Sequence, residues 1–263
     1  MTEQFLTQWQ NWIFAVALAT ARIGAAFTVI PFLGTQVIPG MARNALILCW
    51  SIVVIPMIAD EIAARPFDTL LFFGVILKEI FIGALIGFMI SALIWAVESA
   101  GFFIDNQRGA SIASSLDPLS GNESSPLGLL FTQMLAVFFF SSGAFLLFLG
   151  GLYHSYVLWP VFSFFPTFPD SFPIFVLGIL DEIVRLAAVL AGPIIVSMFL
   201  AELGLAFISR FAPQLQVFFL AMPVKSGIAM FLLILYTIFL IHYIREDFGN
   251  VEILLRPLED ALR

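Results

Sequence analysis

Charge is what this sequence of 263 residues has least of: Asp, Glu, Lys and Arg make up 11% of it, against roughly 25% in soluble domains. So few charges exclude water as the main solvent of its surface. The 11 Lys and Arg are scattered, and the net charge is −7, so no basic stripe is available for nucleic acid. Cysteine is nearly absent. Cys49 stands alone inside an apolar run, which rules out an intrachain disulfide framework or thiolate cluster and makes it read as a small buried hydrophobe. His154 and His242 lie in different segments without a neighbouring His or Cys at ligand spacing, so no metal site is expected. A G-x-S-x-G turn and a phosphate-cradling glycine loop are both missing. Enzymatic chemistry has no visible seat, and no cofactor is implied.

What the sequence has is apolar length. Hydrophobic residues make up 61% of it, with a mean hydropathy of +1.06, and stretches such as Trp12 to Leu33 and Phe218 to Ile241 approach or exceed the roughly 20 residues a helix needs to cross a hydrocarbon core. The alternating strands of a membrane barrel are nowhere visible. The fold class is therefore all-α, a polytopic membrane protein of long, broken helices and helical hairpins. The segment Met1 to Gln10 contains Glu3 but no Lys or Arg, so the positive region of a signal peptide is missing and the first apolar segment is expected to remain in the mature protein.

Six apolar segments follow from the breakers. The first, Trp12 to Leu33, and the second, Asn44 to Ala59, flank Pro39-Gly40 and read as a hairpin. Thr69 to Ile104 is too long for one perpendicular crossing and must tilt, extend or break. Asp105 to Pro126 is the longest polar stretch, with turn signals at Asp117-Pro118 and Ser120-Gly121-Asn122. Leu127 to Leu149 is the fourth apolar segment, and Gly150 to Pro173 is an aromatic, Pro-rich connection. Pro173 to Arg210 is the fifth, and Gln214 to Ile244 the sixth, interrupted by Pro223 and Lys225, before the polar tail Arg245 to Arg263. One membrane domain over residues 1–263 is expected. Simple alternation places Arg65, Arg245, Arg256 and Arg263 on one side and Arg43, Arg108 and Arg210 on the other, which sets no orientation.

Charges inside apolar runs are costly against lipid, so Arg22, Lys78, Glu79, Glu98, Glu202 and Lys225 should each face protein, water or a partner charge. Structural pairing or snorkelling explains such residues as well as function does, the adjacent Lys78-Glu79 above all. Glu98 and Asp105, seven apart, share a helical face leading into the polar loop, and Arg108 follows Asp105 at i+3, which together suggest an ion-pair column at a pore mouth. Gly83 and Gly87 have the small-xxx-small spacing of close helix packing.

The run Glu98-Ser99-Ala100-Gly101-Phe102-Phe103-Ile104-Asp105-Asn106-Gln107-Arg108-Gly109-Ala110 resembles the signature of the FliR/SpaR/YscT family of type III secretion export-gate subunits, its Asp-Asn-Gln-Arg-Gly core being nearer the injectisome branch than the flagellar one. Leu203 to Lys225 is similar to the same family, through Ile208-Ser209-Arg210-Phe211-Ala212-Pro213-Gln214 and Ala221-Met222-Pro223-Val224-Lys225-Ser226. Pro31-Phe32-Leu33, Arg43-Asn44 and His154-Ser155-Tyr156 add to the likeness, which spans nearly the whole chain and fades over Arg245 to Arg263. The resemblance implies one copy of this subunit closing a helical ring of R-type and S-type subunits around a channel for secreted polypeptides. That ring would stand largely above the bilayer within the basal body at the bacterial inner membrane, with the U-type switch protein and V-type export protein as further partners.

It also implies that the loop after the motif helps plug the closed channel, which maps here onto Ser111, Ser114, Ser115, Leu116, Asp117, Pro118 and Gly121. The gate motif would be Glu98, Asp105, Asn106, Gln107, Arg108 and Gly109, with Asp105 and Arg108 pairing to each other or to neighbouring subunits. Arg22, Lys78, Glu79, Glu202, Arg210 and Lys225 would be packing or embedded charges. A proton-coupled secondary transporter is the main alternative, because embedded charges and helices interrupted near Pro193 and Pro223 also mark that class, although related halves are not visible. An intramembrane enzyme or a scaffold that shapes the ring without gating are further alternatives.

Overall fold

The computed structural model describes residues 2–35, 37–64, 69–110, 125–163, 172–212 and 217–249, and all its regular structure there is helical. In chain order the helices are α1 (Thr2–Val29), a 3-10 turn (Pro31–Leu33), α2 (Gly40–Ser51), α3 (Ile55–Ala63), α4 (Thr69–Arg108), α5 (Pro126–Ser141), α6 (Ala144–Leu158), α7 (Phe172–Phe211) and α8 (Val217–Gly249). Four are long and apolar enough to cross a membrane, and α2 with α3 and α5 with α6 make two further bent candidates.

The apolar pattern located the helices better than it located their breaks. The second apolar segment is two helices bent by 63°, because the chain leaves α2 after Ser51 and starts α3 at Ile55 with Pro56 in its first turn. The fourth also divides: α5 ends at Ser141, and Gly143 takes φ +84, a backbone that a residue with a Cβ rarely adopts. The expected connection from Gly150 is helical as far as Leu158. Conversely, α7 runs unbroken through Pro193 and α8 through Pro223, so neither proline interrupts its helix. Cys49 is exposed on α2 and is not the buried hydrophobe expected.

α4 has 40 residues, about 60 Å at the rise of an α-helix and roughly twice a hydrocarbon core. It takes the unbroken option. The chain forms two compact units, which share this helix: residues 1–92 with 143–176, and residues 93–142 with 177–250.

The first unit packs α1 against α2 and α3. Its core holds Leu18, Ile23 and Phe27 of α1, Ile58 of α3, Ile86 of α4, and Phe148 and Leu152 of α6, with the Phe27 and Phe148 rings 6.1 Å apart. Gly83 and Gly87 permit this packing. A Cβ at Gly83 would lie 2.0 Å from the Arg22 carbonyl oxygen, and one at Gly87 2.7 Å from that of Ala26, so the α1 and α4 backbones touch.

In the second unit, the core comes from Ile94, Val97 and Ile104 of α4, Phe131, Leu135 and Phe139 of α5, and Leu190 and Met198 of α7. α7 and α8 bury little within the chain: only 17% of the apolar span of α8 is buried. Faces so apolar need lipid or other protein as solvent.

Candidate functional site

The site is assembled where α4 ends and α5 begins, at the two ends of the 111–124 segment. α4 stops because Gly109 adopts φ +84, which lets the Ala110 N–H bond the Asp105 carbonyl at 3.0 Å and the Gly109 N–H bond that of Asn106 at 3.1 Å. These two bonds form a Schellman cap, so Gly109 is required by backbone geometry. α5 starts with Ser125 as its cap, the hydroxyl accepting from the Gly128 N–H at 2.9 Å, and with Pro126 at the first helical position.

Asp105 joins the two ends. One carboxylate oxygen accepts from Arg108 Nε at 2.7 Å, and the other accepts from the Ser125 hydroxyl at 2.7 Å and from the Leu127 N–H at 2.9 Å. The side chain is 5% exposed and that of Arg108 is 13%. A carboxylate on the first turn of α5 also interacts favourably with that helix's dipole. Helix approach makes the geometry possible, since a Cβ at Gly101 would lie 2.5 Å from the Gly128 nitrogen. The arrangement can hold a polypeptide segment by its base.

Of the expected gate motif, Asp105 and Arg108 pair as anticipated. Glu98 does not join them in a column: it lies half-buried one turn before Gly101, and its contribution at α5 is a backbone oxygen 3.2 Å from the Cβ position of Gly128. Asn106 is exposed and Gln107 half-buried. The residues expected to form a plug, Ser111, Ser114, Ser115, Leu116, Asp117, Pro118 and Gly121, lie outside the described residues. Ser125 and Leu127 were missed, although Ser125-Pro126 before an apolar run is a readable helix-start signal.

The embedded charges of the first unit gather elsewhere. Arg22 is fully buried and forks onto Glu79, with Nε to Oε2 at 2.6 Å and Nη2 to Oε1 at 2.8 Å. Its other bonds go to the Ser155 hydroxyl at 3.0 Å and the Trp159 carbonyl at 2.9 Å, and its guanidinium lies 4.0 Å above the Tyr156 ring. Lys78 Nζ sits 3.1 Å from Glu79 and donates to the carbonyls of Pro160 at 2.9 Å, of Ser163 at 3.2 Å and of Val161. The cluster thus ties α1, α4, α6 and the turn after it together, which is structural work. In the second unit, Lys225 and Glu202 pair at 3.1 Å, and Arg210 is exposed. Among the described residues, no three His, Cys, Asp or Glu are placed to hold a metal ion.

The model of the bacterial export proteins, family 1, matches residues 13–251 of this chain. Yop proteins translocation protein T of Yersinia pestis is 46% identical over 230 residues, which are 86% of this chain and 87% of that protein. Surface presentation of antigens protein SpaR of Salmonella typhimurium is 33% identical over 225 residues, covering 85% and 83%. Flagellar biosynthetic protein FliR of Bacillus subtilis is 32% identical over 226 residues, covering 84% and 85%.

Proposed function

The chain belongs to family 1 of the bacterial export proteins, and from that premise we propose that it is the T-type core subunit of a type III secretion export gate. It would sit in the bacterial inner membrane among R-type and S-type subunits, beside the U-type switch and V-type export proteins, and its residues Ser111 to Gly121 would help plug the channel entrance against passage until a polypeptide substrate is exported. Relatives named for translocation, antigen presentation and flagellar biosynthesis support a role in an export apparatus and do not suggest an enzyme.

One observation carries the plug assignment: a single buried carboxylate, Asp105, fastens both ends of the segment at once. A gate element has to move without dragging the long helices beside it. Clamping its two ends to each other confines motion to the segment itself, because the caps of α4 and α5 stay satisfied whatever the residues between them do.

Deleting residues 111–121 from the assembled complex, joined across the clasp, tests this. The deleted gate should admit small solutes such as fluorescent dyes into intact cells while still purifying with one copy of this chain per complex by native mass spectrometry. A correctly assembled gate that stays sealed refutes the plug.

A further inference from the structure

The break between α2 and α3 is not compelled by its own residues. Ile52, at φ −52 and ψ −35, and Val54, at φ −95 and ψ −26, both keep right-handed helical backbone. Two local features loosen the helix there: the Ser51 hydroxyl donates to the Ile47 carbonyl at 2.7 Å, and Pro56 has no N–H to offer the Ile52 carbonyl. Yet α7 carries the same two features, Pro193 and a Ser197 hydroxyl donating to the Pro193 carbonyl at 2.8 Å, and it runs on unbroken. The break at Gly143, by contrast, rests on a left-handed residue.

What sets the α2–α3 bend apart is a bond from another helix. In a continuous helix the Trp50 carbonyl would accept from the Val54 N–H. Here that N–H turns to the Ser51 carbonyl at 2.9 Å, and the vacated Trp50 carbonyl accepts from the Tyr153 hydroxyl of α6 at 2.8 Å. The Trp50 ring also meets Phe145 of α6 edge-on, with centroids 5.8 Å apart. The Trp50 carbonyl is therefore satisfied in a bent and in a straight form alike, and without the Tyr153 hydroxyl only in the straight one.

The two arms are fastened unequally. α3 buries Ile55, Ile58, Ala59 and Ile62, whereas α2 buries only Ile47 and Ser51. Toward α1 and α4, the α2 residues Arg43, Asn44, Ile47 and Leu48 border an open groove of about 640 Å³. Arg43 Nη1 reaches the Thr28 hydroxyl only at a long 3.4 Å, and Arg43 Nε is buried with no hydrogen-bond partner, the sole such side-chain atom among the described residues. An orphaned buried donor is a penalty of the bent form that any swing of α2 relieves.

We propose that residues 52–54 are a hinge, that α2 is its moving arm, and that the Tyr153 hydroxyl is the latch that keeps the arm bent. Released, α2 and α3 join into one helix over residues 40–63, roughly 36 Å long and enough to cross a hydrocarbon core, which neither half can do alone. The pair is apolar enough for a span when taken together. The latch thus decides whether this stretch is broken or spanning, and the inference does not depend on the export-gate assignment.

Spin labels at Met41→Cys and Ala63→Cys, both exposed positions, read the bend by double electron–electron resonance in the full-length, detergent-solubilised chain, with Cys49→Ser removing its one native cysteine. A straight helix sets these two Cα atoms about 33 Å apart, and a bend of 63° shortens that by about 5 Å. The shorter distance should dominate in the parent chain. Tyr153→Phe keeps the ring and should raise the ratio of long to short distances about tenfold, the effect of one hydrogen bond. Pro56→Ala, which returns an N–H to the Ile52 carbonyl and leaves Tyr153 in place, should raise it in the same sense, and the double variant should be mostly straight. A short distance unchanged in all three variants, or one that only broadens without a discrete longer peak, overturns the hinge. A long distance dominating in the parent chain overturns the latch.

Discussion

Two carboxylates organise two regions of this protein in opposite ways. Glu79 holds together residues far apart in sequence: its partner Arg22 is 57 positions away, and through Arg22 it reaches Ser155 and Trp159, 133 and 137 positions from that arginine. Asp105 gathers Arg108, Ser125 and Leu127, at 3, 20 and 22 positions. The first network cannot form until several helices have packed. The second joins the end of α4 to the start of α5 and needs only those two helices. A buried carboxylate can therefore serve as a fold-wide fastener or as a local clasp, and the sequence distance to its partners distinguishes the two.

The largest expected effect breaks the first region. Glu79→Ala leaves Arg22 and Lys78 buried without their anion, and removing one partner of a buried ion pair costs about 3–5 kcal/mol. The detergent-solubilised chain should lose most of its cooperative thermal transition, whereas Asp105→Ala should keep one. Equal losses for the two variants would erase the contrast.

Glycine contacts come next, because α4 uses them in both regions. Alanine at Gly83 or at Gly101 must push a backbone away, and overpacking of this kind costs about 1–3 kcal/mol. Gly150→Ala on α6 meets nothing within 4 Å and should be neutral or stabilising by about 0.5–1 kcal/mol. Thermal midpoints of the three variants in one detergent check the ordering.

Asp105→Asn sharpens the comparison at a smaller scale. The amide keeps one acceptor for Ser125 and Leu127 and turns two N–H donors toward Arg108, at an expected cost of about 1–2 kcal/mol. That loss should be local. Cleavage within 111–124 by a limiting protease should speed up several-fold with little change in the thermal midpoint, because segment opening and global unfolding are separate equilibria. A midpoint drop as large as that of Glu79→Ala would show that the clasp holds the whole fold.

How much of this was readable depended on sequence distance in the same way. The apolar run Thr69 to Ile104 announced a long helix, although the helix continues to Arg108, into the stretch read as polar loop, and Asp105 with Arg108 announced a pair at i+3. Partners across a polar stretch gave no periodic signal, so Ser125 and Leu127 stayed hidden, and Arg22 with Glu79 could be singled out as costly charges but not matched to each other. The break at Gly143 was passed over although Ser142-Gly143 is a turn signal, because the long apolar runs before Ser141 and after Gly143 read as one span and periodicity does not register one left-handed residue. Pro193 and Pro223 misled in the other direction: a proline removes one hydrogen bond, and surroundings that keep the remaining backbone groups dry favour continuing the helix over exposing more of them.

The smallest expected effect concerns an ion pair that belongs to neither type. Lys225 has a side chain 11% exposed, but its partner Glu202 is 46% exposed, so the pair is open on one side. In the isolated chain, micelle water can reach the carboxylate, and Glu202→Gln should shift stability by less than about 1 kcal/mol. In the assembled complex, a neighbour covering α7 and α8 would dry the same pair, and the loss should grow toward that of a buried partner. Comparing thermal midpoints of the variant alone and in complex therefore measures whether the open side of Glu202 is covered. Equal shifts would mean that it keeps its solvent in the assembly, whereas a loss in the isolated chain as large as that of Glu79→Ala would place the pair with the fold-wide fasteners.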